Sequence, residues 1–439
     1  MVGLLLLLIS IVLFNLKKYY FSLILFFLLI TNGFQIIPVN WLMSGAPIQK
    51  ASDLALIYIL VIGVIKLRKI GLILKSHNIY KWCLYLFAFC TITALYSYFA
   101  LDYPVTNIFQ VYRQYLVFIG FVVFFVIPLP VLTKVFHTLA FITLIQSFLF
   151  LLQIVLGDAI LLSPDGSEFL RREAIEGYSR FYNSPSLQVP VLFYFLFVYK
   201  FKKSLYFYLS VTLLLLTIIA PLHRSGIMAI VAVLLVYTFL KKGGSIYLVG
   251  LSILTLLFSF IDVVNNRMYT AYLDITSTFS NKLNLNTIDA FDNNLIYRIG
   301  HLLERYEYVM SVPLGWLFGI GLISDNSPLA SRLPFVIGLR SEVTDQIVQI
   351  DTGDLVYSLL LLNLGIVGMI LYLIVFIKFL IFFYKNLKYS NFAIIGFLTI
   401  LNGFFISMAG TEMLSFTFRT IILFISVIVC KEVILKKKI

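Results

Sequence analysis

The sequence predicts an all-α polytopic membrane protein with about 12–13 transmembrane helices and one large extramembrane loop that contains helices of its own. Three observations carry this expectation. Apolar residues make up 61% of the chain and charged residues only 12%, against about a quarter charged in an ordinary soluble domain. The apolar residues are gathered into repeated runs long enough to cross hydrocarbon, where only a helix satisfies its own backbone. The basic residues fall in short clusters between those runs, which is the pattern of orienting charge rather than of a nucleic-acid surface, despite a net charge of +13.

The runs lie at 2–14, 19–31, 52–67, 80–101, 111–128, 132–156, 186–200, 204–221, 224–240, 245–262, 353–383, 391–410 and 413–434. The first has no positive leader region and no small-residue cleavage site before Lys17-Lys18, so it reads as a retained span. With the first residue outside, every inner connection is basic: Lys17-Lys18; Lys66, Arg68, Lys69, Lys75 and Lys81; Lys134; Lys200, Lys202 and Lys203; Lys241-Lys242; Lys378, Lys385 and Lys388; and Lys431 to Lys438. Glu432 is the lone acid on that side. Lysine does the orienting, whereas all arginines except Arg68 fall at or near the outer side. A planar guanidinium is the better group for gripping phosphate or carboxylate. The chain thus divides into spans at 1–262 with a smaller outer loop at 157–185, a large outer loop at 263–352, and closing spans at 353–439.

Cys83, Cys90 and Cys430 sit in or beside apolar runs without disulfide or metal-ligand spacing. Cys83 and Cys90 fall on one helix face as small apolar groups. No phosphate-binding glycine loop, HExxH, CxxC or nucleophile elbow is present, which argues against a nucleotide-driven pump.

Three outer stretches carry candidate chemistry. Within the large loop, Ile299, Leu302, Leu303 and Tyr306 recur at helical spacing and predict an amphipathic helix over 298–310, with Arg298, His301, Glu304 or Arg305 and Tyr308 on its other faces. Leu314, Trp316, Leu317 and Phe318 then offer apolar groups to dock the loop on the membrane domain. The smaller loop carries Arg171, Arg172, Glu173, Glu176 and Arg180 before Phe181-Tyr182, a mixture of charge and aromatic faces suited to stacking on sugar rings. A solvated loop with interfacial tyrosines fits the same pattern. In the third stretch, Pro221 to Gly226, Arg224 stands at the outer start of a span beside small residues. A juxtamembrane charge without a sequence partner marks a functional site by default.

Taken in order, these pieces show a resemblance. His223-Arg224-Ser225-Gly226, then Arg298, Pro313 and Gly319-Ile320-Gly321, then Asp351 to Gly368 with Gly365-Ile366-Val367-Gly368 inside the returning span, are similar to the signature series of the O-antigen ligase and polymerase superfamily. Gly177 to Pro185 resembles its Gly…Asn-Pro element more weakly. The likeness covers roughly 177–383.

What the resemblance implies is a GT-C-like glycosyltransferase of the bacterial inner membrane, multi-pass, with the large loop and the active site facing the periplasm. Its expected partners are undecaprenyl-diphosphate-linked oligosaccharide and membrane lipid, with a chain-length regulator as a further candidate, and no nucleic acid. The ligases of the superfamily carry a histidine at the end of the large loop, where this chain has Asp351 and Asp354. That departure favours a polymerase (Wzy-like) over a ligase joining polymer to lipid A–core; a lipid-linked oligosaccharide flippase is the non-enzymatic alternative.

For such a transfer Arg224, Arg298 and Arg305 are the candidates for binding the diphosphate. His301, Glu307, Asp351 and Asp354 are the candidates for a catalytic base, and Arg171, Arg172, Arg180 and Tyr182 for glycan binding. No cofactor and no catalytic metal are expected.

The charge pattern makes a direct prediction. A periplasm-active reporter fused after Ile439 stays silent and a cytoplasm-active one reports; the opposite result would reverse the topology and put the large loop on the wrong side.

Overall fold

The computed structural model describes residues 2–42, 50–163, 172–175, 178–199, 204–240, 269, 294–324, 327–338, 347–350 and 355–437. The run expected at 245–262 and the opening of the large loop lie outside the described residues, as do Arg171, Asp351 and Asp354. The protein is mostly helical, with one two-stranded hairpin among the described residues.

The helices are α1 (Val2–Asn15), α2 (Tyr19–Ile30), α3 (Val39–Leu42), α4 (Ala51–Ile65), α5 (Leu67–Ser76), α6 (Ile79–Phe99), α7 (Val105–Tyr112), α8 (Phe121–Val126), α9 (Leu129–Leu156), α10 (Gln188–Phe197), α11 (Leu205–Ile219) and α12 (Arg224–Leu240). After them come α13 (Asn294–Ser311), α14 (Gly315–Phe318), α15 (Val356–Lys385), α16 (Asn391–Ile406) and α17 (Phe416–Lys436). The hairpin strands are β1 (Arg172–Ile175) and β2 (Tyr178–Phe181), antiparallel with Arg172 opposite Phe181 and Glu173 opposite Arg180.

Four segments are long and apolar enough to cross a membrane: Ile79–Phe99, Val105–Val126, Leu129–Leu156 and Val356–Lys385. Shorter apolar helices, α1, α2, α4, α10, α11, α12 and α16, pack around them. This is a helical membrane protein. Helix boundaries follow local chemistry: α9 opens with Pro130 in its first turn and stops at Gly157, whose left-handed φ of 75° closes the helix. Ser204, Ser390 and Ser415 cap α11, α16 and α17 by accepting from the N–H of Phe207, Ala393 and Phe418.

The run at 111–128 departs from a plain helix. α7 tightens into a narrower turn over Arg113–Ile119 before α8 begins. There Arg113 pairs with Asp53 of α4 at 2.5 Å, and the Gln114 carbonyl accepts from Arg419 Nη1 of α17 at 2.7 Å.

The large loop docks by its backbone. α15 breaks at Gly365 (φ 68°, ψ −175°), and α14 with Gly319–Gly321 crosses the break. A Cβ on Gly365 would press on the Gly315 carbonyl oxygen at 2.6 Å, and one on Gly319 would collide with the Leu362 carbonyl. Ile320 N–H donates to that same Leu362 carbonyl at 2.8 Å. Phe318 stacks on Tyr96 of α6 with ring centroids 4.8 Å apart, and Leu322 N–H donates to Ser97 Oγ at 2.8 Å. Of the residues expected to dock, Phe318 does so, whereas Leu314 and Trp316 are about half exposed.

Glycine is therefore required at 319 by both conformation and space. Gly319→Ala is expected to destabilise the protein by about 2 kcal/mol or more, as left-handed strain adds to overpacking. Gly63→Ala, where nothing lies within 4 Å of the added methyl, should be neutral or mildly stabilising. Thermal melting in detergent compares the two, and equal midpoints would refute the backbone-crossing account.

Candidate functional site

The expected amphipathic helix exists as α13, but it is turned over. The sequence assigns the apolar face to Ile299, Leu302, Leu303 and Tyr306, yet Leu303 and Tyr306 are 37% and 43% exposed. The buried stripe is instead Tyr297, His301, Arg305 and Val309, with His301 at 3% and Arg305 at 1% exposed. Polar groups occupy this face because the neighbouring segments supply partners for them. His301 Nδ1 shares a 2.9 Å hydrogen bond with Ser358 Oγ on α15.

Arg305 is enclosed by its own loop. Its Nη1 donates to the Glu304 carboxylate and to the Ile337 carbonyl, and its guanidinium lies 4.2 Å from the Phe335 ring. Glu304 in turn accepts from the N–H groups of Val336 and Ile337 at 2.7 and 3.2 Å. The pair fastens the 335–338 segment onto α13. Two polar atoms on this face, His301 Nε2 and Arg305 Nη2, are buried without a hydrogen bond among the described residues.

Burial, aided by the positive charge of Arg305, holds His301 at about 3, so its imidazole is neutral at physiological pH. Burial also lowers Arg305, to about 10, which leaves it charged. Arg298 lies on the same helix one turn before His301 and is half-buried, whereas Glu307 is exposed.

The second group joins the smaller loop to the start of α12. Arg180 on β2 donates from Nε to the Pro221 carbonyl at 2.6 Å, and its guanidinium lies 4.4 Å from the Tyr182 ring. Tyr182 meets the His223 ring edge-on at 5.2 Å, and Arg224 follows, half-buried, as the first residue of α12. Two stretches some forty residues apart in sequence are thereby placed side by side. Arg172 sits on β1 in the same hairpin.

A buried amide network, which sequence reasoning missed, holds this loop in place. Gln153 Nε2 donates to Asn183 Oδ1 at 2.7 Å, and its Oε1 accepts from the N–H groups of Ile160 and Leu161 at 3.1 and 3.0 Å. Gln35 donates to the Asn183 and Leu162 carbonyls and accepts from Ser186. Asn32 to Gln35 run through successive left-handed φ values to present that amide, a strained path that Gln146 secures through the Phe34 carbonyl. The sequence cue is the pair Gln146 and Gln153 inside the apolar run at 132–156.

α12 packs on α16, α13 packs on α15, and α15 packs on α16, so the helices that carry Arg224 and Arg305 rest on two helices that are themselves packed together. The chain matches no protein-family model, and no curated protein matches it either.

The neutral state of His301 has a consequence for stability. Unfolded histidine titrates near 6.5 and the folded one near 3, so on acidification the unfolded chain binds the proton first. The stabilising contribution is complete above pH 6.5 and declines by about 1.4 kcal/mol per pH unit towards 3. Melting curves between pH 7 and 4 should fall more steeply for the wild type than for His301→Gln; parallel curves would mean that the imidazole protonates freely in the fold.

Proposed function

We propose that the protein is a surface-polysaccharide polymerase: a metal-independent glycosyltransferase that joins undecaprenyl-diphosphate-linked oligosaccharide repeats at the periplasmic face of the bacterial inner membrane. The observation that carries the reading is the contact of Arg180 and Tyr182 with the Pro221–Arg224 turn. It sets an aromatic and basic sugar-binding lip beside the arginine suited to a lipid diphosphate.

In this reading the growing glycan is transferred from its lipid diphosphate to a hydroxyl of the next lipid-linked repeat. The leaving group is already a strong one and needs no proton. Stabilising its charge is the larger task, and guanidinium groups do this through paired, charge-assisted hydrogen bonds. Arg224, at the end of a span where a headgroup phosphate lies, is best placed for it, and Ser225 and Gly226 leave room for the approach. Arg298 is the second candidate. Arg305, fully buried and engaged with Glu304 and Ile337, serves by shaping the loop that carries Arg298. A neutral His301 fits a hydrogen-bonding role better than that of a base, because so low a proton affinity gives little drive for proton removal.

The test is polymer formation from purified lipid-linked repeat in proteoliposomes. Wild-type protein is expected to give a ladder, Arg224→Ala to be about ten- to hundred-fold slower, and Arg224→Lys to fall between them. Transfer to lipid A–core without polymer growth would identify a ligase, and unchanged polymer from Arg224→Ala would reduce this arginine to a membrane anchor.

A further inference from the structure

The exposed side of α13 is not evenly polar. At about 100° per residue, Leu302, Tyr306, Ile299, Met310 and Leu303 follow one another around roughly 100° of its circumference. Leu303, Tyr306 and Met310 are exposed, and the other two partly so. Glu307 and Ser311, also exposed, continue round the helix for about 80° more. The buried stripe of Tyr297, His301, Arg305 and Val309 fills the opposite side. The helix thus has three sectors: one against the protein, one polar and one apolar. Just beyond its end, Leu314 and Trp316 add to the exposed apolar surface.

Contacts with two spans set the depth of this region. α6 has 21 residues, about 31 Å at helical rise, which matches the hydrocarbon thickness of a bilayer. Tyr96 lies about one turn and Phe89 about three turns from its Phe99 end, roughly 5 and 15 Å. Phe318 stacks on both rings, with centroids 4.8 Å from Tyr96 and 6.0 Å from Phe89. The Pro313 carbonyl accepts from Tyr96 Oη at 3.3 Å. On the other side, Ile320 N–H reaches the Leu362 carbonyl, roughly 9 Å along α15 from Val356. Both rulers place the 313–321 stretch below the ends of the spans.

Apolar groups exposed at that depth meet hydrocarbon rather than water. By helical spacing, Phe89 and Tyr96 border the strip of α6 formed by Ile92, Leu95 and Phe99, all exposed. The surface that carries Leu314 and Trp316 is therefore continuous with the outward surface of a span. The irregular backbone around Gly319 and Gly321 is covered by α6 and α15, the condition under which non-helical chain is tolerated within a bilayer.

We infer that the large loop is half sunk in the membrane. α13 lies at the surface of the leaflet at the Phe99 end of α6, with its Tyr306, Met310 and Leu303 sector against acyl chains and its Glu307 and Ser311 sector in water. α14 is a re-entrant segment within the same leaflet. Tyrosine and tryptophan suit this boundary, since each pairs an apolar ring with one polar group.

The test uses the full chain in vesicles of phosphatidylethanolamine and phosphatidylglycerol. Leu303→Cys, Met310→Cys, Leu314→Cys, Glu307→Cys and Ser311→Cys are each labelled with a nitroxide; the native Cys83, Cys90 and Cys430 are buried, so the new thiol takes the label. Labels at 303, 310 and 314 should collide more with oxygen, which concentrates in hydrocarbon, than with a water-soluble nickel chelate. At 307 and 311 the order should reverse. In the protein without added cysteines, lipids with brominated acyl chains should quench Trp316, read as the quenching lost in Trp316→Phe.

Nickel-favoured collisions at 303 and 310 would mean that the stripe stands in water and overturn the embedding. Low access to both reagents there would overturn it as well, by showing the stripe covered by another part of the chain or by a second copy. Trp316 fluorescence that brominated chains leave unchanged would remove the re-entrant segment.

Discussion

The crossing of the large loop over the break in α15 is the constraint on which the rest of the arrangement depends. A helix interrupted among apolar neighbours exposes peptide groups that must find partners, since no water is there to take them. Here the Leu362 carbonyl accepts from Ile320 N–H, the Tyr103 hydroxyl donates to the Ile320 carbonyl at 3.0 Å, and the Asn363 amide reaches the Gly321 and Ile323 carbonyls at 3.2 and 3.3 Å. Glycines at 319, 321 and 365 allow the backbones to approach this closely. With that junction made, α13 has a fixed platform, and a small second core of Val309, Ile320, Ile323, Phe335 and Leu361 fills the space beneath it.

Two buried polar systems position the candidate chemistry in contrasting ways. The amides of Gln35, Gln153 and Asn183 satisfy one another and the nearby backbone, and so hold the smaller loop as a rigid lip. On α13 the satisfaction is partial: one edge of His301 and one of Arg305 are bonded, and the other edge of each is not. Buried polar atoms left without a hydrogen bond carry a desolvation cost, so this face of α13 is the less fully satisfied of the two systems.

Much of the frame was legible in the residues. The runs at 80–101, 132–156 and 353–383 correspond to α6, α9 and α15, and Arg224 opens α12 where the run at 224–240 begins. The helix over 298–310 was legible in extent but not in orientation, because periodicity ranks faces by apolarity alone. It gives no weight to the partners that Ser358, Ile337 and Phe335 bring to His301 and Arg305.

The sequence by itself determined that the chain is a helical membrane protein, where most helices begin and end, and which stretches carry arginines and aromatics. These follow from local composition, since the transfer of a segment out of water is decided by the segment's own atoms. Only the tertiary structure decided that Tyr182 meets His223 and that α13 buries its polar side. Each of these depends on which atoms from distant parts of the chain share the same few ångströms, and the strength of a buried polar contact depends on that neighbour rather than on the residue alone.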